Sequence, residues 1–171
     1  MAELGDFHAN GVELDAAPRP DVDRLVQDIP ADGTLHIAIL QQPYLDLIVD
    51  GTKTVESRFN TKRAAPYGKV AVGDLVLLKE TGKPITSYFF AADVQNIDLQ
   101  FHPITSVREE YSDAICPEDP ETFWRQKTAS RFCTLVAIGE RGLLLPLPIF
   151  KQDQRGWVTF ARTPPEVPTL F

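Results

Sequence analysis

Gly51-Thr52-Lys53-Thr54-Val55-Glu56-Ser57-Arg58 follows a short amphipathic segment and sets a glycine, a lysine, an acid and an arginine at fixed offsets. A glycine at this place stops a helix by taking the left-handed conformation that other residues avoid. Lys53 and Arg58 then stand on an extended segment beside a turn with free N–H groups, which suits a phosphate or a nucleobase. Upstream, Pro43 fits the first turn of a helix, and Tyr44, Leu47 and Ile48 form one apolar stripe that ends at Gly51. Before it, residues 35–40 (Leu-His-Ile-Ala-Ile-Leu) read as a strand. Downstream, residues 64–68 read as a loop, and Val72-Gly73-Asp74 turns the chain into Leu75-Val76-Leu77-Leu78, apolar at every position like a strand covered on both faces.

Elements continue in both directions. Val22, Leu25, Val26 and Ile29 fall at helical spacing, and the Ala31-Asp32-Gly33-Thr34 turn leads from that helix into the first strand. Thr81-Gly82-Lys83-Pro84 makes a hairpin connection to an aromatic-rich strand over residues 87–94. From Pro103 to Arg131 the pattern is helical, with Thr105 or Ser106 as N-cap and Glu109 completing a capping box, and a second helix over 121–130. Residues 132–138 return to a strand, and residues 144–150 and 156–161 read as a final strand pair. The proline-rich tail over 163–171 is expected to be extended or disordered, with Leu170-Phe171 at its end.

These elements predict an α+β fold: a small mixed β-barrel of five to six strands with two to three short covering helices. The expected organisation is an acidic N-terminal extension with one short helix over 1–34, the barrel domain over 35–162, and the tail.

The chain has 171 residues and is 43% hydrophobic, enough for one sizeable core. The longest apolar runs are too short to span a bilayer, and residues 1–20 lack the apolar block of a secretory signal, so a cytoplasmic location is expected. Cys116 and Cys133 show no paired metal-binding pattern, and His8, His36 and His102 are scattered, so neither a cofactor nor a resident metal is expected. The net charge of −7 speaks against a protein that coats nucleic acid wholesale. Charge is unevenly distributed, however. Residues 1–36 hold eight acids and two bases, whereas residues 51–83 hold seven bases (Lys53, Arg58, Lys62, Arg63, Lys69, Lys79, Lys83) against Glu56, Asp74 and Glu80.

Residues 42–58 followed by Val72-Gly73-Asp74-Leu75-Val76 resemble the ASCH domain of the PUA-like superfamily, over roughly residues 35–138. The resemblance implies a small β-barrel whose pocket, between the barrel and the helix before the motif, takes RNA or a modified nucleobase. It also implies two chemistries. Some small bacterial members are amidohydrolases acting on N4-acylated cytidine, and others are metal-dependent ribonucleases, for which a divalent metal would be required. In the amidohydrolase pattern the motif lysine works with a threonine three residues later and a distal glutamate. Here the lysine maps onto Lys53 but the threonine position is Glu56, which removes the expected nucleophile.

Ligand contacts are therefore expected from Tyr44, Gly51, Lys53, Glu56 and Arg58, with single-stranded RNA or a modified nucleoside or nucleotide as partner and no membrane. Arg58 offers a planar fork for a phosphate or a guanine edge. Lys53 suits a protonated donor better than a base, since a base would need a strongly lowered pKa. Glu56 is assigned the orientation of Lys53, and Tyr44, with Phe59 or Tyr67, the stacking of a base. If the protein is an enzyme, Lys53, Glu56 and Thr54 are the catalytic candidates of a hydrolase, and Glu109 or Glu110 a distal acid. Strand alternation puts Lys53 and Arg58 on opposite faces, so a pocket using both needs irregular backbone near Gly51. A protein-interaction domain that contacts a partner through its acidic and proline-rich ends is the third reading.

Overall fold

The computed structural model describes residues 1–15 and 17–164; most of the proline-rich tail, including Leu170-Phe171, lies outside the described residues. A 3-10 turn, Leu4–Asp6, precedes β1 (Phe7–His8), β2 (Val12–Leu14) and α1 (Pro20–Gln27). The chain continues through β3 (Leu35–Leu40), α2 (Tyr44–Asp50), β4 (Val55–Asn60), β5 (Leu75–Glu80) and the long β6 (Ile85–Asp98). It ends with α3 (Ile104–Ile115), α4 (Pro120–Lys127), β7 (Phe132–Leu147), β8 (Ile149–Lys151), β9 (Trp157–Thr159) and β10 (Ala161–Arg162).

Six strands form one curled half-barrel in the order β4-β7-β6-β5-β3-β9, the α+β architecture of a PUA-like fold. Only the β3–β5 pair is parallel, which the α2–β4 excursion between them permits; the other pairs are antiparallel. The central strands are apolar at successive positions because both of their faces are covered. Leu35, Ile37, Leu75 and Leu77 pack under α1 through Val22, Leu25 and Val26, together with Leu4 and Phe7. Ala38, Leu40, Val76 and Leu78 pack on the other side against Leu45 and Ile48 of α2, with Phe89 and Trp157. A third cluster joins Val55, Cys133 and Leu135 to Val107 and Ile115 of α3 and Trp124 of α4. Each fully buried aliphatic side chain contributes about 1.5–3 kcal/mol, so these three seams carry most of the stability.

Two expectations are corrected. Residues 144–150 and 156–161 do not pair with each other. Residues 132–147 are one continuous strand along β6, while β8 pairs with β2 and β9 adds to β3. Short strands with no period of their own take whichever edge is open. The helix after Pro103 starts at Ile104, with no side-chain cap, so Thr105 and Ser106 lie inside its first turn rather than before it.

The turn Val72-Gly73-Asp74 is architectural. Gly73 takes φ 91°, and a Cβ there would meet the Pro30 ring at 2.7 Å. Asp74 Oδ1 accepts from the Thr34 N–H at 2.9 Å, and Oδ2 accepts from the Ala71 N–H and lies 2.9 Å from His36 Nε2. His36 Nδ1 in turn lies 3.0 Å from the Thr159 hydroxyl and 3.2 Å from Trp157 Nε1. One buried carboxylate thus locks the starts of β3 and β5 and connects to β9.

Candidate functional site

Curling the sheet brings its two edge strands, β4 and β9, towards one another, and the motif lies on that seam. Gly51 ends α2 at φ 88°, the left-handed conformation expected of it. Its N–H donates to the Ile48 carbonyl, and the Lys53 N–H donates to Leu47 at 2.9 Å, so Lys53 stands in a turn before β4 begins. That irregular backbone overrides the alternation rule and lets Lys53 and Arg58 meet at one carboxylate. Gly51 itself shapes the turn and does not line the cleft; a Cβ there would collide with the Arg141 guanidinium.

Glu56 is the hub, only 3% exposed. Its Oε2 lies 3.5 Å from Lys53 Nζ, and its Oε1 accepts from Arg58 Nε at 2.8 Å. Arg58 then reaches across the seam, donating through Nη2 to the Ile39 carbonyl at 3.0 Å and through Nη1 to Gly156 at 3.1 Å, with its guanidinium 5.4 Å from the Trp157 ring. Three of its five N–H bonds are thereby used, leaving two. Lys53 is also 3% exposed, donates to the Ile115 carbonyl at the end of α3 at 2.7 Å, and sits 5.5 Å from the Tyr44 ring centre. A cation at a helix C-terminus is favourably placed against the helix dipole. Burial holds the Lys53 pKa below its ordinary value, with Glu56 opposing the shift.

An open cleft of about 290 Å³ lies over this hub, walled by Tyr44, Ser57, Phe123 and Lys127 beside Lys53, Glu56 and Arg58. Four of the expected contacts, Tyr44, Lys53, Glu56 and Arg58, are therefore brought together. Thr54 is exposed, hydrogen-bonds Ala114 through its N–H, and lies outside the cleft, as do Glu109 and Glu110. Phe59 packs edge-on against Phe123 and Trp124, and Tyr67 against Phe132, and neither lines the cleft; the aromatic that lines it together with Tyr44 is Phe123. Trp124 and Trp157 are core residues, 3% and 4% exposed.

Lys127, at the end of α4, is a lining residue that the sequence does not single out. Its ammonium stands 5.0 Å from the Phe123 ring and 5.7 Å from Phe59, and among the described residues it has no carboxylate partner. Burial and the neighbouring Arg58 lower its pKa. In sequence it reads as an ordinary basic residue in the last turn of a helix, a role that would hide any other. Cys133 is a buried thiol whose pKa burial pushes up to about 12, which fits a packing residue. Among the described residues, no three His, Cys, Asp or Glu side chains converge to hold a metal ion, and no helix is long and apolar enough to cross a membrane.

A family model of the ASCH domain matches residues 39–139. No curated protein sequence compared with the chain matches it. Among solved structures, the ASCH protein from Zymomonas mobilis superposes with a TM-score of 0.53 at 15% identity, covering 67% of this chain and 73% of that one. A serine-to-alanine mutant of that protein gives a TM-score of 0.53 at 16% identity, over 67% of this chain and 74% of that one. A tyrosine-to-phenylalanine mutant gives 0.52 at 16% identity, over 66% and 74%. At such identity the structural likeness establishes a shared fold. Together with the family match across both halves of the motif, it establishes that the chain belongs to the ASCH domain family.

Proposed function

We propose that the protein binds RNA, or a nucleotide unit of it, in the cleft over Glu56. The observation that carries this reading is the charge arrangement: three cations, Lys53, Arg58 and Lys127, surround a single carboxylate, with Tyr44 and Phe123 on the walls. Lys127 and the two unused N–H bonds of Arg58 supply donors for phosphate oxygens, and the rings supply faces on which a base stacks. Lys53 and Glu56 act one layer deeper, holding Arg58 and the end of α3 in place. At about 290 Å³ the cleft is at the small end of ligand sites, which favours a single nucleotide unit over a longer segment. ASCH domains are generally RNA-binding, which agrees with this chemistry.

Titration with single-stranded RNA and a panel of nucleotides at two salt concentrations tests it. Binding should weaken as salt rises, and Lys127→Ala should reduce affinity by about tenfold. If no ligand in the panel shows salt-sensitive binding, the proposal is wrong.

A hydrolase is the second reading, and the lowered pKa of Lys53 favours it. Against it, Thr54, the expected nucleophile candidate, is exposed outside the cleft; of the aliphatic hydroxyls only Ser57 belongs to a lining residue. Incubation with N4-acetylcytidine and with labelled RNA, with and without a divalent metal, decides between binding and turnover. Product that disappears in Lys53→Ala would support the hydrolase.

A further inference from the structure

A larger groove, about 800 Å³, adjoins the cleft and shares Ile39 and Gln41 with it. The β5–β6 hairpin, β8 and residues 153–156 form its sides. Gly156, whose carbonyl accepts from Arg58, lines the groove, so one residue pair ties the two spaces together.

Lys79 is the unexplained group in this groove. It is 7% exposed, and its ammonium donates only to the Glu80 main-chain oxygen at 3.2 Å. Among the described residues no carboxylate pairs with it; burial lowers its pKa, and the neighbouring cation Lys151 lowers it further. Burying an ammonium is unfavourable without an opposite charge beside it. The neighbouring acids are already engaged: Asp153 pairs with Lys151 at 3.0 Å and Arg155 at 2.6 Å, and Glu80 pairs with Lys83 at 2.9 Å. Four cations thus face two carboxylates, on a chain of net charge −7. Phe150 lines the same groove and is 61% exposed, so its ring is open to a stacking partner beside the cations.

We propose that this groove is a second subsite for the same RNA strand, which leaves the cleft past Gln41, sets a phosphodiester between Lys79 and Lys151, and lays a base on Phe150. The proposal rests on the cleft reading above. A phosphate supplies the negative charge that buried Lys79 lacks, and an exposed aromatic beside a cationic track is how single strands are held without sequence preference. An acidic peptide would meet the cations equally well but would leave Phe150 idle.

Fluorescence binding measurements on the full chain with uridine monophosphate and with an oligouridylate of roughly eight nucleotides, within the ~4–16 that one small barrel occupies, test this. The variants are Lys79→Met, which keeps an apolar stem in the buried position, Lys151→Gln and the exposed Phe150→Ala. Each should weaken oligonucleotide binding by about three- to tenfold while leaving mononucleotide affinity unchanged, and the two lysine variants should each flatten the salt slope by about one unit. Thermal melting identifies any variant that no longer folds, and Phe150→Ala then decides alone. Equal loss for both ligands, no loss for the oligonucleotide, or displacement of RNA by polyglutamate at equal charge overturns the second subsite. If Lys127→Ala weakens both ligands while the groove variants change neither, the groove proposal fails and the cleft reading stands. If Lys127→Ala changes neither, the cleft reading itself fails.

Discussion

Two buried carboxylates, Asp74 and Glu56, lie in the two halves of the same sequence signature, and their surroundings differ in one respect. Asp74, 1% exposed, has two backbone N–H groups and His36 around its oxygens, all inside the core. Glu56 is equally buried, yet its partners are two side-chain cations, one of which keeps unused N–H bonds at the edge of an open cleft with Lys127 beside it. A carboxylate closed off by its own backbone holds architecture together. A carboxylate that positions cations at a seam leaves them facing an open cleft, as the proposed function requires. Burial alone does not separate the two; the identity of the partners does.

The largest effect that would break this contrast is on stability. Asp74→Ala leaves His36 and two N–H groups without their acceptor and should cost about 3–5 kcal/mol in chemical denaturation. Glu56→Gln keeps an acceptor oxygen for Arg58 but removes the charge between two cations; a loss of about 1–3 kcal/mol is expected, together with weaker RNA binding. Arg58→Lys forfeits the fork that spans Ile39 and Gly156, and about 1–2 kcal/mol should go with those two bonds. Lys127→Ala should leave stability within about 1 kcal/mol while reducing RNA affinity, since its contacts are two aromatic rings and the cleft. If instead Asp74→Ala were mild and Lys127→Ala severe, the division between architecture and site would be reversed.

Thiol labelling sharpens the comparison at smaller scale. Cys133 pairs with Phe59 across β4 and β7, one position from the Arg58–Thr134 pair, and its pKa of about 12 keeps it unreactive while it is buried. It should stay unlabelled in Lys127→Ala and label faster in Glu56→Gln, where the seam is loosened.

The strands β3 and β5, the helix α2 and its stop at Gly51 were legible because each has a local cause: an apolar run, a stripe, a left-handed glycine. What was not legible depends on distant chain. The two-residue and three-residue strands β1 and β2 carry no period and exist only because β10 and β8 run beside them. Residues 144–147 looked like a separate strand, since nothing local says that β7 continues past Gly142 along β6. At the site, the charges and the glycine of residues 51–58 pointed to Lys53, Glu56 and Arg58, but strand alternation alone separated Lys53 from Arg58. Lys53 escaped that rule by standing in the turn. Lys127 and Phe123 come from a helix some seventy residues on, and only packing brings them to the cleft.

The most direct test is to titrate the isotopically labelled protein with uridine monophosphate and follow backbone amide shifts by NMR. Saturable, salt-sensitive shifts are expected at Tyr44, Ser57, Arg58, Phe123 and Lys127, with the amides around Asp74 and His36 unmoved. Shifts that map elsewhere, while the cleft residues stay silent at saturating ligand, would contradict binding at the cleft.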